Sequence, residues 1–161
     1  MPRSLEQKII SSERLPQLIK QLKDQGKRII STNGCFDILH LGHINYLNEA
    51  RHLGDILFVG INSDLSVKRL KGQNRPINNE KIRALQLSAL EAVDYVTVFT
   101  EDNPESLLRV IQPAIHVKGG DYNPNQLPEK SIVEANGGKV VCLSMTEGFS
   151  TTELIKKLSK E

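Results

Sequence analysis

Short apolar segments alternate with longer amphipathic segments along nearly the whole chain, and this alternation limits the possible folds more than any other feature. Residues 56–61 form a continuous apolar run, which is typical of a strand buried on both faces of a parallel sheet. Residues 12–25 instead place leucine and isoleucine at helical spacing, and Gly26 supplies the stop signal. Strands that alternate with helices in this way predict a parallel sheet with right-handed crossover connections.

The same patterns recur along the rest of the chain and predict further strands and helices. The strands are predicted at 28–32, 56–61, 95–99, 114–117 and 139–143. The helices are predicted at 12–25, 42–53, 81–91, 104–111, 129–135 and 151–159. The predicted fold class is therefore α/β, a Rossmann-like, doubly wound, five-stranded parallel sheet in a single domain. We expect residues 1–25 to be a helical segment that packs on the domain formed by residues 26–161.

Composition and charge exclude several classes of protein. The 21 Lys+Arg against 19 Asp+Glu give a formal net charge of +2, and the basic residues are scattered, so a nucleic-acid-binding surface is not expected. No apolar stretch approaches the roughly 20 residues of a membrane helix, and residues 1–8 lack the apolar core of a signal peptide. Cys35 and Cys142 form no Cys-x-x-Cys pattern, so neither disulfides nor a zinc site is expected. We predict a cytoplasmic protein without a membrane partner.

The predicted sheet also indicates where a ligand would bind. In doubly wound sheets, ligands lie beyond the carboxyl ends of the strands, where the strand order reverses. Three polar, mostly glycine-bearing segments follow predicted strands, at 33–43, 62–64 and 118–121. We therefore expect these segments to meet at one edge of the sheet.

The segment 33–43 carries the most informative chemistry. Gly34 permits a sharp turn after the first strand, and His40 and His43 flank Gly42 where a helix is predicted to begin. Backbone N–H groups at a helix start favour phosphate, and two imidazoles three residues apart can stabilise charge that develops at phosphorus. Two surface or capping histidines would explain a bare His-x-x-His pair. The glycine turn and the strand-to-helix context favour a phosphoryl-transfer site instead.

Residues 34–37 and 40–43, Gly-Cys-Phe-Asp and His-Leu-Gly-His, resemble the signature of the HxGH nucleotidyltransferase superfamily. The serine- and threonine-rich turn at 148–152 resembles a second motif of that superfamily, which grips nucleotide phosphates. Further segments carry a closer resemblance, at 32–40, 60–64, 70–72, 75–77 and 117–122. Together they are similar to the D-glycero-β-D-manno-heptose 1-phosphate adenylyltransferase family. The similarity runs from about residue 26 to residue 158.

This resemblance implies a reaction and its participants. AMP would pass from ATP to the sugar 1-phosphate, giving ADP-heptose and pyrophosphate for lipopolysaccharide or related surface glycans. Mg²⁺ is expected as the cofactor, bridging the ATP phosphates, and no residue of the chain is assigned as a metal ligand. Many relatives are fused to a heptose kinase, so a separate kinase is expected to supply the substrate here. A homo-oligomer, dimer or larger, is also implied.

Residue chemistry and the resemblance together give a set of candidate site residues. The expected catalytic residues are His40, His43 and Lys71. The expected nucleotide contacts are His43 together with Asn33, Gly34, Cys35, Phe36, Lys118, Gly119, Gly120, Asp121, Ser150, Thr151 and Thr152. The expected acceptor contacts are Asp37, Asn62, Asp64, Lys68, Arg75 and Arg83.

Several of these assignments leave an alternative open. Asp37 could instead hold the glycine turn, Asp64 could cap a helix, and Arg83 could form an ordinary surface ion pair. The basic residues of 68–75 could be a solvated charged loop, and the hydroxyls of 150–152 could be only a helix cap. Asn62 and Asp64 could bind sugar hydroxyls or help to hold the metal.

Two other functions remain possible at this point. One is a cytidylyltransferase that acts on glycerol 3-phosphate or a similar polyol phosphate, which binding of CTP against ATP would distinguish. The other is a nucleotide-binding module without catalysis, although a binder need not retain both histidines and a basic segment.

Overall fold

The computed structural model describes residues 3–159 and contains a five-stranded, all-parallel sheet with strand order β3-β2-β1-β4-β5. The strands are β1 (Ile29–Gly34), β2 (Ile56–Asn62), β3 (Tyr95–Phe99), β4 (Ile115–Gly119) and β5 (Lys139–Leu143). This arrangement confirms the predicted α/β, doubly wound fold class. Because the chain runs outward from β1 to β3 and then returns to β4, the strand order reverses between β1 and β4.

Eight helices flank the sheet within the described residues. They are α1 (Leu5–Lys8), α2 (Leu15–Asp24), α3 (Leu41–Arg51), α4 (Asp64–Lys71), α5 (Glu80–Ser88), α6 (Glu105–Ile111), α7 (Glu129–Ala135) and α8 (Thr151–Leu158). A short 3₁₀ helix occupies Pro124–Gln126. No helix in this part of the chain has the length and apolarity to cross a membrane.

Helix α4 corrects the sequence prediction, which placed the basic residues of 68–75 in a loop after the second strand. Ser63 caps the helix, because its Oγ accepts a hydrogen bond of 3.2 Å from the Ser66 N–H, and Gly72 ends it with a φ of +106°. Lys68, Arg69 and Lys71 thus belong to its last turns. The helix escaped prediction because its apolar residues are too few to show a helical period.

The first strand also differs from its prediction. The sequence predicts that the strand ends at residue 32 and that the chain turns at Asn33-Gly34, yet both residues pair in register with Gly60 and Ile61 of β2. The parallel ladder therefore outweighs the turn preference of this dipeptide. As a result, the chain leaves β1 two residues later than predicted, at the edge where β1 and β4 end.

Two apolar clusters pack on opposite faces of the sheet. One includes Ile30, Val59 and Val117, and it packs against Tyr46 and Leu47 of α3. Alternate residues of the same strands face the other cluster, which is formed by residues of β1, β2, β3, α2 and α6, namely Ile29, Phe58, Phe99, Leu15, Ile19, Leu22, Leu107 and Ile111. This alternation follows from the period of two in a strand. It fixes which side chains of β1 and β4 face each layer of helices.

The N-terminal residues that the structure describes pack against this sheet. Leu15, Ile19 and Leu22 of α2 are buried, and the Ile10 N–H donates a hydrogen bond of 2.8 Å to the Val96 carbonyl on β3. The division of the chain into 1–25 and 26–161 stays a prediction, and residues 1, 2, 160 and 161 lie outside the described range.

Replacing Leu22 with alanine tests whether α2 is part of the cooperative fold. We expect Leu22→Ala to lower the free energy of unfolding by about 2–4 kcal/mol, because it empties a buried position against the sheet. Gln21→Ala, at an exposed position of the same helix, should change it by less than about 0.5 kcal/mol. Urea denaturation measures both values, and equal effects would show that α2 is docked only weakly.

Candidate active site

An open cavity of about 680 Å³ lies at the carboxyl ends of β1 and β4, where the strand order reverses. The structure brings most of the predicted site residues to its lining, namely Asn33, Gly34, Cys35, Phe36, Asp37, His40, His43, Asn62, Lys71, Arg75, Lys118, Gly119, Ser150, Thr151 and Thr152. Five predicted residues do not line it, namely Asp64, Lys68, Arg83, Gly120 and Asp121. The sheet edge therefore gathers residues from segments that are far apart in the chain.

The two histidines stack on each other at the start of α3. Their ring centroids lie 3.8 Å apart with an interplanar angle of 26°, and the ring of Phe149 lies 6.3 Å beyond His40. A Cβ atom on Gly42 would sit 2.9 Å from Cε1 of His40, so glycine at this position leaves room for the ring. The glycine in His-Leu-Gly-His thus has a steric reason. It lets the first imidazole lie over the first turn of the helix.

Both rings are neutral near pH 7. Burial, helped by the proximity of His40, lowers the pKa of His43 to about 4, and burial also lowers the pKa of His40. The His40 backbone N–H donates to Nδ1 of His43 at 3.4 Å, so the proton of neutral His43 lies on Nε2. Nδ1 of His40 is buried without a hydrogen-bond partner. The stacked pair therefore supplies N–H donors without a permanent charge.

Asp37 connects residues 75–78 to the histidine turn, the segment 35–43 that carries His40 and His43. Its carboxylate, in a residue only 2% exposed, accepts hydrogen bonds from Nε of Arg75 at 2.7 Å and from the backbone N–H groups of Ile77 at 2.8 Å and Asn78 at 2.9 Å. Burial opposes ionisation of this group, but these donors outweigh it and hold the pKa of Asp37 below its usual value. Both carboxylate oxygens are thus engaged within the protein. This arrangement favours the structural alternative for Asp37 over a contact with substrate.

Arg83 is entirely buried rather than aimed at the cavity. It is 0% exposed and donates hydrogen bonds to the carbonyl of Cys35 at 2.6 Å, to the carbonyl of Asn78 at 3.0 Å and to Oδ1 of Asp64 at 2.8 Å. The predicted acceptor contacts of Arg83 and Asp64 therefore have no support in this geometry. Instead, the guanidinium stabilises the turn at Gly34 through its hydrogen bond to the Cys35 carbonyl.

The cationic side chains at the cavity differ in their surroundings. Arg75 is paired with Asp37, whereas Lys71, in the last turn of α4, enters none of the ion pairs found among residues 3–159. Lys68 lies on the exposed surface of the same helix, away from the lining. Lys71 is thus the residue best placed to offer an uncompensated charge to a phosphate.

The hydroxyl-rich turn before α8 forms a helix cap and also lines the cavity. Oγ of Ser150 accepts from the Glu153 N–H at 3.1 Å, and Oγ1 of Thr151 donates to the Ile38 carbonyl at 3.2 Å. Thr152 is exposed at the cavity wall. The capping role that the sequence left open is therefore present. It also fixes the position of this turn relative to the histidines.

The donor groups in the described residues do not form a metal cage. Residues 3–159 contain no cluster of three or more histidine, cysteine, aspartate or glutamate side chains suited to a metal. At the cavity, the carboxylate of Asp37 accepts hydrogen bonds from the 75–78 segment, and the carboxylate of Asp102 accepts hydrogen bonds from Ser66 and Arg69. This donor set fits a divalent ion held mainly by the phosphates of a nucleotide, as Mg²⁺ commonly is.

Some lining residues are not among the predicted site residues, although Phe149 and Tyr122 lie within the segments 148–152 and 117–122 that carry the resemblance. Met145, Tyr122 and Phe149 line the main cavity, and Met145 and Tyr46 also line an adjoining recess of about 160 Å³. A Cβ atom on Gly119 would lie 2.6 Å from Sδ of Met145, so the glycine makes room for the methionine. Tyr46 could have been found, because it lies one helical turn after His43. Met145 carries no sequence signal that separates it from an ordinary loop residue.

The sequence of this chain is similar to a known family and to proteins of two bacteria. Residues 31–157 match the model of the family described as cytidylyltransferase-like. The chain is 51% identical over 150 residues to the bifunctional protein HldE of Haemophilus ducreyi, covering 93% of this chain and 32% of that protein. It is 49% identical over 153 residues to the bifunctional protein HldE of Klebsiella pneumoniae, covering 95% of this chain and 32% of that protein. The chain therefore spans about a third of the length of these curated relatives.

A solved structure is also similar to this chain. It is the crystal structure of the lipopolysaccharide core biosynthesis protein from Thermoplasma volcanium, with a TM-score of 0.62 and 32% sequence identity. The similarity covers 75% of this chain and 98% of that one. The shared fold thus extends over nearly the whole of the smaller protein.

Replacing Asp37 with asparagine should reveal the charge that ties the 75–78 segment to the histidine turn. Because the pKa of Asp37 is lower in the folded protein, its carboxylate stabilises the fold above the ordinary pKa of aspartate. That contribution disappears as the pH falls from about 4 through the lowered pKa. We expect Asp37→Asn to lower the free energy of unfolding by about 1–3 kcal/mol at pH 7. In this variant the free energy of unfolding should also lack the part of its pH dependence that comes from Asp37.

Urea denaturation at a series of pH values between about 7 and 2 measures both effects. Asp24→Asn is the matched control, because Asp24 pairs with Lys20 at the surface with both side chains largely exposed. The control should follow the wild-type curve. If Asp37→Asn also follows it, Asp37 does not anchor the segment.

Proposed function

This chain belongs to the cytidylyltransferase-like family, and we propose that it is an adenylyltransferase that transfers AMP from ATP to D-glycero-β-D-manno-heptose 1-phosphate. The products would be ADP-heptose and pyrophosphate. The observation that carries the proposal is the neutral, stacked pair of His40 and His43 at the start of α3, facing a polar cavity at the switch point of the sheet. The choice of substrates is supported by the resemblance of the motifs and by the similarity to a lipopolysaccharide core biosynthesis protein.

The reaction needs positioning and charge stabilisation rather than a covalent enzyme intermediate. A phosphate oxygen of the acceptor attacks the α-phosphorus of ATP and forms a new P–O bond. The bond from the α-phosphorus to the oxygen that bridges it to the β-phosphorus breaks in line, and pyrophosphate leaves. N–H donors of His40 and His43 hold the non-bridging oxygens of the α-phosphoryl group as negative charge develops there. Mg²⁺, when bound to the nucleotide, neutralises charge on its phosphates.

The other lining residues have supporting roles in this proposal. Lys71 binds the β- and γ-phosphates, since its charge is not compensated by a neighbouring carboxylate. The turn at 150–152 contacts phosphate oxygens through hydroxyl and N–H groups. The nucleoside lies against the ends of β1 and β4, at 33–36 and 118–119, which line the cavity. Asn62 and Arg75 are left for the acceptor, while Asp37, Asp64 and Arg83 support the site from within the protein.

The reaction also places demands on its surroundings. A sugar 1-phosphate must be supplied by a kinase that phosphorylates the anomeric oxygen, and both reactions consume ATP, which favours the cytoplasm. A homo-oligomer stays a prediction.

Pyrophosphate release in the presence of Mg²⁺ tests the proposal directly. The assay offers ATP or CTP against heptose 1-phosphate or glycerol 3-phosphate, and mass spectrometry identifies the product. Release only with ATP and heptose 1-phosphate is the expected result. Release only with CTP and glycerol 3-phosphate would retain the mechanism and replace both substrates. ATP binding without release for any pair would favour a nucleotide-binding module.

Replacing His43 with alanine tests the catalytic assignment. We expect His43→Ala to lower kcat by about 10²–10³-fold, because one donor to the developing charge is lost. ATP affinity and the melting temperature should change little. His52→Ala is the control, since His52 lies exposed beyond the end of α3, and it should keep wild-type kcat. A His43→Ala enzyme with unchanged kcat would contradict the proposed role.

A further inference from the structure

A buried ion pair lies beside the cavity, on the face of the sheet that α7 covers. Nζ of Lys118 is 2.9 Å from Oε1 of Glu129, the first residue of α7, and 3.4 Å from Oδ1 of Asn33 at the end of β1. The side chains of Lys118 and Glu129 are only 18% and 8% exposed. Lys118 lines the cavity and Glu129 does not. The carboxylate therefore reaches a ligand only through the ammonium group.

Burying the carboxylate of Glu129 at this position costs free energy, because the group is taken out of water and is incompletely hydrogen-bonded. Its second oxygen, Oε2, is buried without a hydrogen-bond partner, and so is Nε2 of the buried His116 two residues before Lys118. Burial opposes ionisation of Glu129, but the hydrogen bond from Lys118, the charge of Lys118 and a backbone N–H hydrogen bond together outweigh it and lower the pKa of the carboxyl. The pair is thus charged but incompletely satisfied. Apolar residues of similar size would often stabilise such a position at least as well.

The pairing changes what Lys118 can offer to a ligand. An ammonium group has three N–H donors, of which Glu129 and Asn33 take two. The remaining donor has a direction set by the other two, and the carboxylate cancels the positive charge. A phosphate is better served by an uncompensated cation such as Lys71. A fixed donor with almost no net charge suits a neutral oxygen, such as a sugar hydroxyl.

We propose that Glu129 is a positioning residue that aims the third N–H of Lys118 at a hydroxyl group of a bound substrate. The hydroxyl belongs to the ribose of the nucleotide or to the acceptor sugar, since both carry this chemistry. The inference rests on the proposed function, because it takes these two substrates from it. It adds a residue outside the cavity and assigns to Lys118 a contact with a hydroxyl group.

The ribose arm of the test uses binding alone. Calorimetry gives the affinity of the wild-type protein and of Glu129→Gln for ATP, 2′-deoxy-ATP and 3′-deoxy-ATP. If the ribose is the partner, one deoxy analogue binds the wild type about tenfold more weakly than ATP does, and Glu129→Gln reduces that difference to less than about twofold. This arm needs no turnover, so it does not depend on the acceptor.

The acceptor arm uses kinetics. If the acceptor sugar is the partner, the ATP affinities stay equal and Glu129→Gln raises the KM for heptose 1-phosphate about tenfold, with kcat within about threefold of wild type. Glu134→Gln is the matched control, because Glu134 lies on the same helix in a more exposed pair with Lys130. It should leave every constant unchanged.

A double variant separates positioning from stability. Lys118→Met combined with Glu129→Gln removes both charges, so the free energy of unfolding should recover relative to Glu129→Gln alone. Substrate affinity should not recover, because the donor is gone. Recovery of both quantities, or constants for Glu129→Gln within twofold of wild type in both arms, would overturn the proposal. If the wild type turns over no acceptor, the proposed function fails and the ribose arm decides this inference by itself.

Discussion

The geometry of the candidate site depends on how two buried charged groups hold the turn after β1. The carboxylate of Asp37 takes three hydrogen bonds from the 75–78 segment, and the guanidinium of Arg83 binds the carbonyl of Cys35 from α5. Together they tie the histidine-bearing turn to elements that come some 40 residues later in the chain. A turn that begins with Phe36 at a φ of +47° needs such support, because side chains rarely adopt this conformation. The imidazoles therefore lie on a braced segment rather than on a free loop.

Much of the fold could be predicted because the strands are strongly patterned. β3 and β5 have the predicted bounds, α7 does as well, and the parallel sheet follows from their alternation with helices. What escaped prediction was local. α4 has too few apolar residues to show a period, and Asn33-Gly34 has a turn preference that the ladder with β2 overrides. Both errors concern segments in which tertiary contacts outweigh local preference.

The candidate site was predictable in its location and less so in the role of each residue. The switch point brings together the ends of β1 and β4, so 33–43 and 118–119 meet there as expected. Sequence spacing does not reveal which way a charged side chain points. Arg83 points inward because its guanidinium donates hydrogen bonds to Asp64 and to two carbonyls. Glu129 points toward Lys118, although its sequence position is that of an ordinary acidic residue at a helix start. These directions depend on packing between elements far apart in the chain.

The contact of residues 9 and 10 with β3 has a consequence for the behaviour of the protein among copies of itself. β3 is an outer strand of the sheet, and an uncovered outer strand is a template on which another chain can add. Ile9 forms a parallel β-bridge with Val96, and the Ile10 N–H donates a hydrogen bond to the Val96 carbonyl. The segment thus occupies part of the outer edge of β3. We expect residues 9 and 10 to hinder the addition of another strand at this position.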